Sequence, residues 1–305
     1  MDVRERFEQS LHQLVELVRE DRHILAVILG GSLSHDQVWE KSDIDLVLIR
    51  TDEKKGKERT ALALTVDGVN IHAWIWSRDQ FRKAIEGKTR NSFEHSFFAK
   101  ARLLYTHDPT IEQSMADLRT IGDRDRQVQL MHSGCAVMVS LDKAKKWLVV
   151  HDDTAYSALW LLYCATPLAQ IAANLAGELV SREVIQQGLR LNPELLNLVY
   201  TQILNRKVSR RALQLAFTAV DAYLRDHAAI LFAPLLEYLE SAGDIRSVTE
   251  IDDHFSRHFD VEHLAVACEW LADIEWIDKA SVPARLTRRS QIEVPEMAFF
   301  RSPAE

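Results

Sequence analysis

Cysteine is scarce in this chain, which has three among 305 residues. Cys135, Cys164 and Cys268 lie far apart among apolar neighbours, and no two of them have the spacing of a metal-ligand pair. This number and spacing exclude a disulfide-rich secreted scaffold and a zinc site built on paired cysteines. We therefore expect three buried free thiols in a reducing compartment, and a cytoplasmic location for the protein.

Basic residues are not in excess either. Lys and Arg together number 37 against 45 Asp and Glu, which gives a formal net charge of -8. A general nucleic-acid binder needs clustered Lys and Arg to neutralise phosphates, so this balance argues against nucleic acid as a partner. It leaves open a small cationic molecule or a metal–nucleotide complex as the partner.

The sequence starts with the charged run MDVRERFEQSL, so we expect no secretory leader. The stretch from Thr154 to Gly177 carries no charge and is long enough to raise the question of a membrane span. It nevertheless contains Ser157, Gln170 and Asn174 and has no basic flanking cluster. We interpret it as a buried helix and expect no membrane partner.

Strand patterns come early in the chain. Apolar positions at helical spacing predict a helix over residues 3–20, and the apolar run HILAVILGGS predicts a buried strand that enters a tight turn. DIDLVLIR predicts a second strand, and ALALTV-DG-VNIHAWIW predicts a hairpin that turns at Asp67 and Gly68.

From residue 123 onward helical periodicity dominates, and it predicts helices over 124–150, 153–180, 183–190, 193–204 and 208–241. We predict an α+β protein in three parts: a small mixed-sheet domain over 1–122, an all-helical bundle over 123–243 and a winged-helix-like module over 244–305. The expected recognition helix, Val261 to Ile274, contains acidic residues and no Lys or Arg, which argues against DNA binding. We expect a structural or dimerising role for the module, so a homodimer is one option.

The most informative segment joins the end of the first predicted strand to the start of the second. It contains, in order, Gly30, Gly31, Ser32, Ser42, Asp43 and Asp45. Two carboxylates at alternate positions of a strand point to the same face, where they can share divalent cations such as Mg²⁺. Glycines let the backbone approach a phosphate closely, and a serine hydroxyl adds a donor. The pattern predicts one corner that holds a triphosphate and its metal ions, as in-line nucleotidyl transfer requires.

The run GGSLSHDQVWEKSDIDLVLI resembles the signature of the DNA polymerase β superfamily of nucleotidyltransferases. In that family a Gly-Ser pair follows one strand and an Asp-x-Asp lies on the next. The resemblance covers roughly residues 23–107 and includes Leu103-Leu104-Tyr105, which is similar to the family's last core strand. It implies that the mixed-sheet domain is a small nucleotidyltransferase domain.

The resemblance also implies a Mg²⁺-dependent enzyme that uses a nucleoside triphosphate, foremost ATP, as its substrate. Asp43 and Asp45 are the expected metal ligands, and two ions can be shared between them. The residues expected to bind the nucleotide are Gly30, Gly31, Ser32 and Ser42. Antibiotic-modifying members of the family have the same two-domain layout, and an acidic cleft would suit a cationic small molecule as acceptor.

The sequence departs from the family at one position. Family members usually carry a third carboxylate on a neighbouring strand, and the segment VNIHAWIW has none. Alternation places Asn70, His72, Trp74 and Trp76 on one face of that strand, where His72 or Asn70 takes the position of the acid. A neutral imidazole could accept the acceptor's proton, although it is a poorer partner for Mg²⁺ than a carboxylate. We therefore count His72 as a catalytic candidate beside the two aspartates.

Other candidate residues give weaker signals. Asp67 and Glu94 could replace the missing carboxylate, but nothing in the sequence places them near the corner. Arg126 and His132 faintly resemble the Arg–His motif of HEPN ribonucleases, a spacing that arises easily by chance. The seven tryptophans mostly occupy amphipathic positions, so we expect core or interface roles for them.

Two functions from different classes are compatible with these residues. The first is a nucleotidyltransferase that moves a nucleoside monophosphate, foremost AMP, from its triphosphate to a hydroxyl of a small molecule or a protein. The second is a catalytically inactive nucleotide-binding sensor or protein-interaction module that keeps the same fold. The missing third carboxylate favours the second function, and the spacing of the Gly-Ser and Asp-x-Asp elements favours the first.

Overall fold

The structure is a computed structural model that describes residues 2–31, 33, 39–52, 60–86, 98, 100–118, 122–181 and 183–302. The fold is of the mixed α+β class, as predicted. The chain divides into two compact units, Met1–Ile121 and Gly122–Glu305. A separate module from residue 244 onward stays a prediction.

The N-terminal unit contains both helices and strands. In chain order its described elements are α1 (Val3–Arg19), β1 (Ile24–Gly30), β2 (Ile44–Arg50), β3 (Ala61–Val66), β4 (Val69–Ser77), α2 (Arg78–Glu86), β5 (Arg102–Thr106) and α3 (Pro109–Asp117). The start of α3 follows from its sequence, because the Asp108 side chain accepts a hydrogen bond from the Thr110 N–H and Pro109 needs no partner for a backbone N–H.

The described strands of this unit form one five-stranded sheet in the order β3-β4-β2-β1-β5. β2 and β4 run parallel, and the other neighbouring pairs run antiparallel. The β3–β4 hairpin turns at Asp67 and Gly68, whose φ angles of 49° and 74° suit a two-residue turn. The mixed sheet and the hairpin predicted from the alternating pattern are therefore confirmed.

The two faces of this sheet are covered by different helices. On one face, apolar side chains of β1, β2 and β4 form a core with the apolar stripe of α1. On the other face, Phe81 of α2 and Ile111 of α3 join a second core with Val47 and Ile49 of β2. Because strand side chains alternate between faces, Asp45 lies on this second face, two residues before Val47. The helix-covered part and the carboxylate-bearing part of this face are therefore at opposite ends of β2.

The C-terminal unit is helical over most of its length. In chain order its described elements are α4 (Asp123–Val150), α5 (Thr154–Tyr163), α6 (Ala165–Leu175), α7 (Val184–Leu191), α8 (Pro193–Leu196), a π-helical segment (Asn197–Thr201), α9 (Gln202–Asn205), α10 (Arg210–Asp226), α11 (Ala228–Leu231), α12 (Ala233–Ala242), β6 (Arg246–Ser247), α13 (Val248–Phe259), α14 (Leu264–Asp273), β7 (Asp278–Arg285) and β8 (Glu293–Phe300). The helical content predicted from residue 123 onward is confirmed.

Two long predicted helices are each divided in the structure. The prediction of one helix over 153–180 is wrong, because α5 and α6 are separate helices. The prediction of one helix over 208–241 is also wrong, since the helix is interrupted at His227 and at Phe232. Pro234 lies in the first turn of α12, where its missing N–H breaks no helical hydrogen bond. Apolar periodicity continues across such breaks and therefore does not locate them.

The charge-free stretch forms α5 and α6. By length and composition Thr154–Leu175 could cross a membrane, and 61% of its apolar window is buried inside the protein. Leu161 and Leu168, among others from these helices, belong to the main hydrophobic core of the unit. This burial is that of core helices and agrees with the predicted buried segment.

The last part of the chain packs on the same core. Phe255 of α13, Leu271 of α14 and Phe299 of β8 are buried with the apolar side chains of the preceding helices. β6, β8 and β7 form a three-stranded sheet in that order. Two helices followed by a hairpin agree with the predicted order of elements, and the assignment of a winged helix stays a prediction.

All three cysteines are free and buried, as predicted. Burial raises the pKa of Cys135 and that of Cys164 to about 12, and it also raises the pKa of Cys268. Since the thiolate is the reactive form, these side chains remain protonated and inert at neutral pH.

We predict that the native protein does not react with a colorimetric disulfide reagent at about pH 8, which is ordinarily close to a free thiol's pKa. The same reagent should titrate three thiols once the chain is unfolded in denaturant. Absorbance of the released thiolate measures both states. Rapid labelling of the folded chain would contradict the burial of these side chains.

Candidate functional site

The turn after β1 depends on glycine for two reasons. Gly31 has a φ of +66°, in the left-handed region that side chains rarely adopt. A Cβ added to Gly31 would also lie 2.1 Å from Oδ2 of Asp45, far inside van der Waals contact. The backbone of the turn and the Asp45 carboxylate are therefore packed directly against each other.

The two aspartates enter this corner from the start of β2. Asp45 is the second residue of the strand and pairs with Gly30, the last residue of β1. Asp43 precedes the strand by one residue. Side chains two residues apart on an extended chain point to the same side, and 37% of the Asp43 side chain is exposed.

His72 reaches the same corner from β4. In the parallel pairing of β2 with β4, His72 is the register partner of Asp45. Its Nδ1 atom lies 3.8 Å from Oδ2 of Asp43, and 52% of the imidazole is exposed. This distance is too long for a hydrogen bond but places the imidazole beside the carboxylates. The structure thus brings Asp45 of β2 and His72 of β4 to the same corner as Gly31, which follows β1, and Asp43, which precedes β2.

The remaining residues of that face of β4 flank His72. Asn70 is exposed and pairs with Thr65 of β3. Trp74 is 39% exposed and lies beside Val47 of β2. The alternation of Asn70, His72 and Trp74 in the sequence predicts that they share this face, whereas the partial exposure of Trp74 differs from the core or interface role expected for most of the tryptophans.

Ser42 has a structural partner in the turn before Asp43. Its hydroxyl accepts a hydrogen bond from the Trp39 N–H at 3.1 Å, and its own N–H donates to the Trp39 carbonyl oxygen at 2.9 Å. The hydroxyl still has a proton to donate. A role of Ser42 in nucleotide binding stays a prediction, and its contacts show that it shapes the approach to β2.

Three other candidates lie away from this cluster or outside the described residues. Ser32 and Glu94 are outside the part of the chain that the structure describes. Asp67 lies in the β3–β4 turn, five residues before His72, which corresponds to roughly 15 Å of extended strand. Asp67 therefore does not supply the missing carboxylate.

A metal site can be formed by protein side chains alone, or it can be completed by substrate phosphates and waters. Among the described residues, no three His, Cys, Asp or Glu side chains form a group that could hold a metal ion by themselves. Mg²⁺ is commonly bound through one or two carboxylates together with substrate phosphates and waters, so it does not need such a group. Asp43 and Asp45 therefore fit a cation that arrives with a triphosphate.

A separate cavity of about 440 Å³ lies at the other end of β2. Asp52, just after that strand, lines it together with Arg78 and Thr110. Arg78 is already paired there, with Nε 2.9 Å from Oδ2 of Asp108 and Nη2 donating to the Thr110 hydroxyl. The cavity is therefore distinct from the corner at Gly31.

Comparison with known proteins shows the fold. No protein-family model matches the chain, and no curated protein matches it. A solved crystal structure, that of a nucleotidyltransferase-like protein from Exiguobacterium sibiricum 255-15, is similar with a TM-score of 0.65 and 12% sequence identity. The match covers 96% of this chain and 99% of that chain. The chain thus has the fold of a nucleotidyltransferase-like protein, with the helices that follow the sheet included.

Replacing Gly31 with alanine is expected to lower the free energy of unfolding by more than the roughly 1–2 kcal/mol of left-handed strain alone. The additional loss arises because the new Cβ meets the Asp45 carboxylate. Chemical denaturation followed by circular dichroism measures it.

Gly68→Ala is the matched control for this substitution. Gly68 has a φ of +74°, and a Cβ there meets nothing within 4 Å, so only the strain remains. Asp45→Ala in the Gly31→Ala background should recover part of the loss. Equal losses in Gly31→Ala and Gly68→Ala would contradict the close contact.

Proposed function

We propose that this protein is a nucleotidyltransferase, which moves a nucleoside monophosphate from a nucleoside triphosphate to a hydroxyl group. The observation that carries the proposal is the packing of the Asp45 carboxylate against the turn at Gly31, with Asp43 and His72 alongside. A polyphosphate needs a backbone that it can approach closely and carboxylates that hold its cations, and both meet at this corner. The similarity in fold to a nucleotidyltransferase-like protein supports the proposal.

Each residue of the corner has a part in the transfer. Asp43 and Asp45 would hold Mg²⁺, one ion or two, and the metal would supply charge that neutralises the triphosphate. The nucleotide contacts fall to Gly30, Gly31, Ser32 and Ser42, through backbone N–H groups and hydroxyls. The acceptor oxygen bonds to the α-phosphorus, the bond between that phosphorus and the pyrophosphate oxygen breaks so that pyrophosphate leaves, and the hydroxyl proton passes to the imidazole of His72. His72 is the third side chain at the reacting centre.

The nucleotide in this proposal is ATP, and the transferred group is AMP. The acceptor is a small molecule, and a cationic one in particular, or a protein side chain that carries a hydroxyl. A net charge of -8 and partly exposed carboxylates at the site favour the approach of a cation. The three free thiols suit the reducing conditions of the cytoplasm, where we place the protein.

The C-terminal elements α13, α14 and the β7–β8 hairpin act, in this proposal, as a winged-helix-like module for structure or dimerisation. α14 carries Glu269 and Asp273 and has no Lys or Arg. A helix that faces phosphates should not be acidic, so nucleic acid is not the expected partner.

A catalytically inactive nucleotide sensor is the second candidate function. It is favoured by the imidazole at position 72, which stands where family members usually have a carboxylate. Incubation with labelled ATP, Mg²⁺ and hydroxyl-bearing acceptors separates the two functions. Release of pyrophosphate supports the enzyme, whereas ATP binding without pyrophosphate release supports the sensor.

We predict that Asp45→Asn lowers the affinity for ATP with Mg²⁺ by at least about tenfold, equivalent to about 1.4 kcal/mol. The amide keeps the size of the side chain but loses the charge that holds the cation. Isothermal titration calorimetry of the full chain measures the affinity, and Asp43→Asn should behave in the same way.

Asp67→Asn provides the control for these two variants. It removes one negative charge from the same unit at an exposed hairpin turn, where asparagine tolerates the positive φ of 49°. Its affinity for ATP should equal that of the wild type. Wild-type affinity in Asp45→Asn and Asp43→Asn would count against the metal assignment.

A further inference from the structure

β3 is an edge strand of the N-terminal sheet, and its outer side has no neighbour among the described strands. The two-residue turn after Val66 fixes which of its residues bond to β4, because the residues that flank such a turn exchange hydrogen bonds with each other. Bonded pairs then alternate along the strands, and the 2.9 Å bond from the Ile75 N–H to the Thr60 carbonyl oxygen agrees with this alternation. The residues in between direct their backbone N–H and C=O groups to the outer side, and they are Ala61, Ala63 and Thr65.

This edge lacks the features that usually prevent a sheet from pairing with another strand, which are charges, prolines and bulges. β7, an edge of the C-terminal sheet, contains Lys279 and Pro283. β5, the opposite edge of the N-terminal sheet, contains Arg102 and pairs with β1 through an irregular register. β3 (ALALTV) has no charge and no proline, and its register with β4 is continuous. The outer side of β3 is therefore open to a further strand.

The side chains of β3 suit a second copy of the same strand. On one face they are small and exposed, and on the other Leu62 and Leu64 are half-buried against the core that the sheet forms with α1. In an antiparallel pair centred on Ala63, Leu62 of each copy lies opposite Leu64 of the other, so the apolar face continues across the join. The outward backbone groups of one copy then bond to the same groups of the other. Because the strand carries no charge, the two copies meet without like-charge repulsion.

We propose that two copies of the protein pair through β3, antiparallel and centred on Ala63, to form a homodimer in which the two five-stranded sheets are continuous. Directly opposite residues of an antiparallel pair lie on the same face, and Ala63 is the register partner of His72 on β4. The candidate corners of the two copies therefore face the same side of the joined sheet. The two His72 residues are about 14 Å apart, which is three strand spacings of about 4.8 Å.

Sedimentation velocity of the full chain over a range of concentrations tests the dimer. The wild type is expected to reach twice the 34.9 kDa mass of one chain. Ala63→Pro removes the outward N–H at the centre of the pair and keeps every hydrogen bond between β3 and β4. It should raise the dissociation constant of the dimer by at least about tenfold, because each copy loses a donor to the other.

Ala63→Lys is a second variant that leaves the backbone unchanged. Its side chain lies on the exposed face of β3, and the two lysines of a dimer would be directly opposite each other, where like charges destabilise a strand pair. Ser281→Lys is the matched control, since it places the same charge at an exposed position of the edge strand β7. Ala63→Lys should weaken the dimer, and Ser281→Lys should leave it unchanged. Circular dichroism of each variant reports whether it is folded.

Cysteine cross-linking tests the register of the pair. The Cα atoms of directly opposite, hydrogen-bonded residues are about 5.5 Å apart, which is within the range of a disulfide. Ala63→Cys should therefore form a covalent dimer under mild oxidation, whereas Arg102→Cys on the β5 edge should not. The three native cysteines are buried and do not compete.

A wild type that stays monomeric at the highest concentration would overturn the inference. So would a dimer that persists in folded Ala63→Pro and Ala63→Lys and is not linked through Ala63→Cys. A dimer that dissociates only in Ser281→Lys would also overturn it and would assign the contact to the C-terminal sheet. The affinity for ATP with Mg²⁺ is measured separately, so the proposed function can fail or hold whichever of these results is found.

Discussion

The close approach of the Asp45 carboxylate to the backbone at Gly31 is the constraint on which the rest of the corner depends. It requires a residue without a side chain at position 31, because both the left-handed φ and the neighbouring oxygen exclude a Cβ. It also requires the pairing of Gly30 with Asp45, which sets the height of the carboxylate relative to the turn. The antiparallel pairing of β1 with β2 thereby holds the negative charge of Asp45 next to the backbone of Gly31.

The position of His72 on β4 depends on the apolar core on the opposite face of the sheet. Ile44 and Leu46 of β2 and Ile71 and Ala73 of β4 are each no more than 1% exposed, beneath the strand residues that face the corner. A slip of one residue between β2 and β4 would bring these apolar side chains to the open face and bury the polar ones. The hydrophobic effect on one side of the sheet thus fixes which polar residues meet on the other.

Sequence patterns predicted most of the strands and the faces of their side chains, because both depend on local alternation. Local alternation does not predict which strands lie next to each other in the sheet. β3 lies between β2 and β4 in the sequence, yet β4 is the strand that pairs with β2, and no local pattern specifies this order. The position of His72 beside Asp45 follows from that long-range pairing. Apolar periodicity also continues across the helix break at His227 and so does not predict it.

The register of β4 limits how the chemistry of this face can change over evolution. Sliding the strand is blocked by the buried residues on its other side, so the group at position 72 can be exchanged only by substitution. Histidine and aspartate codons differ by a single base. A point mutation can therefore replace the imidazole beside Asp43 with a carboxylate while the backbone stays as it is.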